Sequence, residues 1–321
     1  MTVKPFLMAL TLSVLAAPWA MAQTYPTKPV KIVVPFGAGG VADLTARTVA
    51  QKLAEVLGQP VVVDNKPGAG GIGAGEAVAK SEPDGHTLLL ISNGTAVTAG
   101  LFKAVPFDTL KDFAPVSTLG TFDIAIIATA DSRFKTLGEL VAFARTNPGK
   151  LNLGSVNIGS TQNLAAELLK SSAGLDIQIV PFNGTPALVT ALRGGQVDAA
   201  VEILGPVMGQ IKGGALRALA VTGEKRASAL PEVPTAKEGG VANYVASSWN
   251  GLAAPAKTPK AVIARLNREL VGILNQPDTR AKLLAINVDA RSSTPEQAAE
   301  LLASDVNRWS DVIDKAKIPK Q

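Results

Sequence analysis

The chain has no cysteine and a single histidine, His86. Without thiols it can build no disulfide framework, thiolate nucleophile, Cys-ligated zinc site or iron–sulfur cluster. With one imidazole it has no histidine metal cluster either, so no metal and no other cofactor is expected. Aromatic residues make up 4 % and charged residues 18 % of the chain, and the net charge is only +5. That is too thin a basic stripe for a nucleic-acid partner. What the sequence does have is length and apolar mass. With 321 residues, 47 % of them hydrophobic, it buries a core without staples and exceeds the usual single domain of ~100–200 residues. Two lobes are the first expectation.

One apolar run, residues 5–17, follows Lys4 and precedes Ala20-Met21-Ala22. Positive start, short apolar stretch and small-x-small ending read as a signal peptide over residues 1–22, cut after Ala22. The run is too short to span a ~30 Å hydrocarbon core; an uncleaved anchor is the alternative. With no cysteine at the cut there is no lipid attachment. The mature chain is therefore expected free in an extracytoplasmic space, the periplasm fitting best. No apolar stripe suggests an oligomer, so a monomer is expected.

Past the leader, short β-branched runs alternate with helical patterns, the signature of βαβ units and a mostly parallel sheet flanked by helices. Strands are expected at residues 30–34, 61–63 and 87–91, with helices at 44–57 and 72–81 between them. The same order recurs with strands at 151–156, 177–180 and 197–203 and helices at 164–173 and 187–193. Between the copies, runs at 114–119 and 124–129 meet at Gly120-Thr121-Phe122. Later, residues 216–221 and 245–254 read as strands, and 260–274, 279–284 and 296–315 as helices. The fold class is α/β and two-lobed, each lobe a mostly parallel sheet flanked by helices. Residues 23–120 plus 252–321 form one lobe and 121–251 the other, and the chain crosses twice, near Gly120 and near Trp249.

In open parallel sheets ligands sit beyond the carboxyl ends of the strands, where helix N-termini aim free N–H groups outward. The repeat puts loops 35–43, 64–71 and 92–97 there in one lobe, and 157–163, 182–186 and 202–206 in the other. Gly37, Gly39 and Gly40 leave backbone amides bare; Ser92, Asn93, Asn157, Ser160, Thr161, Asn183 and Thr185 add short neutral side chains. Singly, each is a turn glycine or a cap. Their coincidence on one face points to an anion held without arginine, since helix ends and charge-assisted hydrogen bonds suffice. Asp43 either caps the helix at Leu44 or flanks the cleft. Glu202 is either a solvated carboxylate or an acceptor for a ligand's N–H, hydroxyl or water.

A rival motif exists. Gly37-x-Gly39-x-x-Ala42 after a strand, with Asp64 ending the next one, matches a dinucleotide fingerprint. The alternative function is thus an exported dinucleotide-dependent oxidoreductase using residues 37–42. Pro35-Phe36 before the first glycine and the export signal argue against it. A Ser-His-Asp hydrolase would need His86, which reads as a turn or surface residue at the wrong end of its strand, and no G-x-S-x-G occurs. No catalytic residue is nominated.

In chain order come Tyr25-Pro26-x-Lys28-Pro29, Val33-Val34-Pro35-Phe36-x-x-Gly39-Gly40-x-x-Asp43 and Val63-Asp64-Asn65-Lys66-Pro67-Gly68-Ala69-Gly70-Gly71. Pro83-Asp84-Gly85-His86-Thr87, Val180-Pro181-Phe182-Asn183-Gly184, Gly194-Gly195-Gln196-Val197-Asp198 and Trp249-Asn250-Gly251-Leu252 follow. Through these the chain resembles the Bug-type receptors, the solute-binding components of tripartite tricarboxylate transporters. The resemblance implies a Venus-flytrap fold that closes on a small carboxylated molecule and presents it to permease subunits. It implies ligand contacts by Phe36, Gly37, Ala38, Gly39, Gly40 and Asp43 and by Ser160 and Thr161. Asn163 stands where many relatives have His, Glu202 where many have Asp, and the loop 183–186 is one residue short, so citrate-like specificity does not carry over.

Overall fold

The computed structural model describes residues 25–227, 229–315 and 317–321. The leader at 1–22 and its cut after Ala22 lie outside the described residues.

Two βαβαβ units carry the fold. The first comprises β1 (Val30–Val34), α1 (Val41–Leu57), β2 (Val61–Asn65), α2 (Ile72–Ala79) and β3 (Thr87–Ser92). The second comprises β5 (Asn152–Val156), α5 (Thr161–Ser172), β6 (Gln178–Phe182), α6 (Thr185–Arg193) and β7 (Ala199–Ile203). In both, the first strand lies between the second and the third, all three parallel: β2–β1–β3 and β6–β5–β7. The repeated architecture expected from the pattern is present. Such an order places a crevice at the carboxyl end of the central strand. In α1 the apolar positions Ala46, Val49, Ala50, Leu53 and Leu57 are buried at helical spacing, and Gly58 ends the helix with φ 67°, a left-handed C-cap.

β4 (Phe113–Thr129) joins the two units. Its first part pairs antiparallel with β9 (Ser247–Pro255) in the first sheet, and its second part with β7 and β8 (Leu216–Val221) in the second. The break expected at Gly120 does not occur. A β-carbon at Gly120 would sit 2.7 Å from the Asp289 carbonyl oxygen of β10 (Val288–Ala290), which crosses there. The glycine marks a close approach of strands, not a turn. Both sheets are mixed: the triplets are parallel, while the joining strands run antiparallel.

Two helices appear where loops are expected. α3 (Asn93–Leu101) is fixed by a capping box between Ser92 and Thr95, and α7 (Leu204–Lys212) carries its proline in the first turn. α4 (Leu137–Thr146) follows β4, and the C-terminal α8 (Lys260–Leu274), α9 (Pro277–Ala285) and α10 (Pro295–Lys315) complete the chain. α8 packs on α1 and β4, and α10 on α3 and β4. Trp249 is a buried anchor beside the crossing. Its indole N–H donates to Asp305 Oδ2 at 2.7 Å, and its backbone N–H donates to Asn93 Oδ1 at 2.9 Å. His86 is buried, not superficial: it stacks edge-on against Tyr25 and accepts from the Thr27 N–H. It lies at the opening of β3, remote from the strand's carboxyl end.

Candidate functional site

At the carboxyl end of β1 the chain turns through Pro35–Gly40 into α1. Gly40 is the N-cap and has no side-chain oxygen to offer, so the first amides of α1 remain unspent. Gly39, at φ 83°, needs to be glycine for the turn. Its N–H is already engaged with Asp43 Oδ2 at 3.0 Å. Asp43 also receives Arg47 Nε on both oxygens at 3.0 Å, Arg47 reaches Asn65 Oδ1 at 3.1 Å, and Asn65 Nδ2 donates to the Phe36 carbonyl at 3.0 Å. Asp43 therefore neither caps α1 at Leu44 nor borders the cleft; it clamps the loop. Burial alone would raise its carboxyl, but hydrogen bonds from Arg47, Gly39 and Asn65 hold it below the ordinary range.

Opposite, three helices of the second unit start together. Ser160 caps α5 by accepting from the Asn163 N–H at 3.1 Å, and its hydroxyl donates to the Val156 carbonyl at 2.6 Å. Thr161 and Gln162 follow in the first turn. α6 begins at Gly184 (φ 120°) and α7 at Ile203, neither with a side-chain cap. With α1 these starts converge on one cavity, walled by Phe36, Gly37, Gly40, Val41 and Ala42 on one side and Thr161, Gln162, Gly184, Thr185 and Ile203 on the other. Ser92, Ser248 and Asn250 form its floor. No lysine or arginine is in the lining. Each helix start contributes roughly half a positive charge, so the cavity favours an anion through peptide dipoles alone.

The two units are closed on each other. Gly70 N–H donates to the Ile158 carbonyl at 2.7 Å across the cleft, and Ser248 Oγ of the joining strand β9 donates to Thr161 Oγ1 at 3.2 Å. Glycines make the approach possible. A β-carbon at Gly37 would lie 2.6 Å from the Asn183 carbonyl oxygen, and one at Gly159 would lie 2.9 Å from the Gly70 Cα. About 30 Å³ of the cavity is open to the centre of a water molecule. A second, smaller chamber of about 10 Å³ shares Phe36 as a wall and is lined by Asn157, Gly159 and Ser160 against Gly70, Gly94 and Thr98.

The sequence-nominated residues sort as follows. Phe36, Gly37, Gly40, Ser92, Thr161 and Thr185 line the cavity, and Asn157 and Ser160 line the smaller chamber. Ala38 and Gly39 are exposed outside both, as is the Asn183 side chain, which approaches only through its carbonyl. Asn93 is turned away, donating to Asp305 Oδ2 at 2.7 Å. Glu202 is not a solvated carboxylate but is fully buried behind the helix starts. Its Oε1 accepts from Gln162 Nε2 at 3.0 Å and from the Ile203 N–H at 2.7 Å, while Oε2 has no partner. Burial pushes its carboxyl up, against hydrogen bonds from Gln162 and the Ile203 N–H. Asn163 is likewise internal, bonded to Ser155 and the Gly159 N–H.

Gln162, Ser248 and Asn250 escaped the sequence reading. Ser248 and Asn250 stand two apart in β9, on either side of Trp249, a period-two signal for one face of a site. The dinucleotide reading loses its geometry: the Asn183 carbonyl covers Gly37, and Asp64 lies 3.8 Å from Lys31 Nζ, away from the cavity.

Comparison with known proteins agrees with this geometry. The sequence model described as "Tripartite tricarboxylate transporter family receptor" matches residues 45–318. Protein BugT of Bordetella pertussis is 35 % identical over 301 residues, covering 93 % of this chain and 92 % of that one. Among solved structures, Rpa4515 of R. palustris with adipate superposes with a TM-score of 0.88 at 31 % identity, covering 92 % of this chain and 99 % of that one. MatC of Rhodopseudomonas palustris with bound malate gives 0.84 at 33 % identity, over 90 % and 100 %. The chain belongs to the tripartite tricarboxylate transporter receptor family.

Proposed function

We propose that this chain is a periplasmic receptor, not an enzyme, that captures a small carboxylated metabolite between its two lobes and hands it to the membrane subunits of a tripartite transporter. The observation that carries the reading is the convergence of four helix starts from two facing units on a closed cavity without a lysine or arginine in its lining. Adipate and malate in two relatives fit the same chemistry. The lobes are taken as 23–120 plus 252–321 and 121–251, with β4 and β9 as the crossings, in a monomer released by cleavage after Ala22. Phe36, Gly37, Gly40, Ser92, Thr161 and Thr185 contact the ligand, Asp43 and Glu202 shape its walls, and closing is driven because the ligand binds the closed state better.

Thermal-shift and calorimetric titration of the mature chain with mono- and dicarboxylates of three to six carbons, and with NAD and NADP, tests this. Stabilisation by at least one acid and by neither nucleotide is expected. A shift with a nucleotide and with no acid overturns the reading.

A further inference from the structure

The smaller chamber contains an unused functional group. Asn157 is 6 % exposed, and neither its Nδ2 nor its Oδ1 has a hydrogen-bond partner. The finding does not depend on which way the amide is turned, because both ends are free. The backbone holds the residue in place: its N–H donates to the Phe182 carbonyl at 2.9 Å, and its carbonyl accepts from the Ser160 N–H at 2.9 Å. The other polar side chains lining the chamber are engaged within the protein. Thr98 Oγ1 donates to the Gly70 carbonyl, Thr95 Oγ1 accepts from the Ser92 N–H, and Ser160 is a cap. A buried amide left unpaired costs about 1–3 kcal/mol per group, so the site is incomplete as it stands.

We infer that Asn157 recognises a hydroxyl group of the ligand, making the substrate a hydroxylated monocarboxylate whose carboxylate lies at the helix starts. The inference rests on the anion-capture reading above. A hydroxyl both accepts and donates, so it pairs with Nδ2 and Oδ1 together; a carboxylate only accepts, leaves Oδ1 unpaired and faces it oxygen to oxygen. Size points the same way. The chamber is the smaller of the two, and a hydroxyl is the smaller of the two groups. Ser160 and Thr161, adjacent in sequence, line the two chambers respectively, and Phe36 borders both. The inference places the two ends of one short ligand in these neighbouring chambers.

The test is calorimetry on acids of three to six carbons in matched forms: unsubstituted monocarboxylate, terminally hydroxylated monocarboxylate and dicarboxylate. The mature wild type, Asn157→Ala and Asn157→Asp are compared, with circular dichroism melts reporting the fold. In the wild type the hydroxy acid of the best-fitting length should bind roughly 10- to 100-fold tighter than its unsubstituted and dicarboxylate counterparts. Asn157→Ala should erase that preference while leaving unsubstituted acids within about threefold, and Asn157→Asp should weaken dicarboxylates most. A dicarboxylate preferred by the wild type, or an Asn157→Ala loss shared equally by all acids, overturns the hydroxyl assignment and leaves the receptor reading standing. No binding by any acid takes down both.

Discussion

The two units build the same crevice with opposite means. At the start of α1 the side chains of Asp43, Arg47 and Asn65 are spent on holding the loop, and what faces the cavity is backbone and apolar side chains: Phe36, Gly37, Gly40, Val41 and Ala42. At the start of α5 two neutral side chains, the Ser160 hydroxyl and the Asn163 amide, do the holding, and other side chains face the cleft: Thr161, Gln162 and, one chamber over, Asn157. Peptide groups recognise charge and little else, whereas side chains can be exchanged one at a time. On the proposed function, the first unit reads the anion and the second reads which anion it is.

The sharpest way to break that comparison is to stop the halves from meeting. Gly37 lies outside the left-handed region, so a β-carbon is tolerated by its own backbone and opposed only by the Asn183 carbonyl at 2.6 Å. Gly37→Val should leave the unliganded melt unchanged and lower acid affinity by roughly 100-fold, about 2.7 kcal/mol. Unchanged affinity by calorimetry means that the closed arrangement is not the binding state. A smaller effect sharpens the contrast in how the loops are held. Asp43→Ala frees Arg47 and orphans the Gly39 N–H, and should destabilise by about 2 kcal/mol. Ser160→Ala removes a cap and should cost about 1 kcal/mol. If chemical denaturation reverses that order, the clamp is not what shapes the first loop.

The same contrast explains what was legible beforehand. Strand and helix order, the repeat and the glycine loops follow from periodicity, and α8 begins and ends where its pattern says. Asp43 is visible as a residue but not as a clamp, because the clamp runs through Arg47 to Asn65, which comes from another strand. Asn93 carried the right composition for a cleft residue, yet Asp305, 212 positions away, claims its amide. Glycine was ambiguous for the same reason. Gly120 answers to β10, a three-residue strand too short to carry a pattern. α3 and α7, rich in Gly and Thr or interrupted by Gly and Pro, have little intrinsic helix preference; α3 is held by its capping box, and α7, without a side-chain cap, by packing on β4 and β8.

The subtlest difference between the units is the protonation of the carboxyl behind each helix start. Asp43 is surrounded by donors and stays ionised; Glu202 is buried, with one oxygen unpartnered, and its carboxyl is pushed up. In the unfolded chain Glu202 titrates near 4.5; in the fold it keeps its proton to higher pH. Its contribution to stability is therefore full below 4.5 and is lost as pH rises through the folded value. The loss is bounded at about 1.4 kcal/mol per pH unit for one proton. Asp123 and Glu167 are also raised by burial and add the same sign, so the wild-type slope alone does not isolate Glu202. The difference between wild type and Glu202→Gln does, since the amide keeps an oxygen for Gln162 and the Ile203 N–H and carries no proton to lose. Denaturation between pH 4.5 and 8 should show the variant gaining on the wild type as pH rises. Acid affinity should follow, weakening with pH in the wild type and flattening in the variant, because an ionised Glu202 repels the ligand across Gln162 and Thr185. Parallel pH profiles for the two proteins mean that Glu202 is ionised throughout, and that the second unit, like the first, holds a fixed negative charge behind its amides.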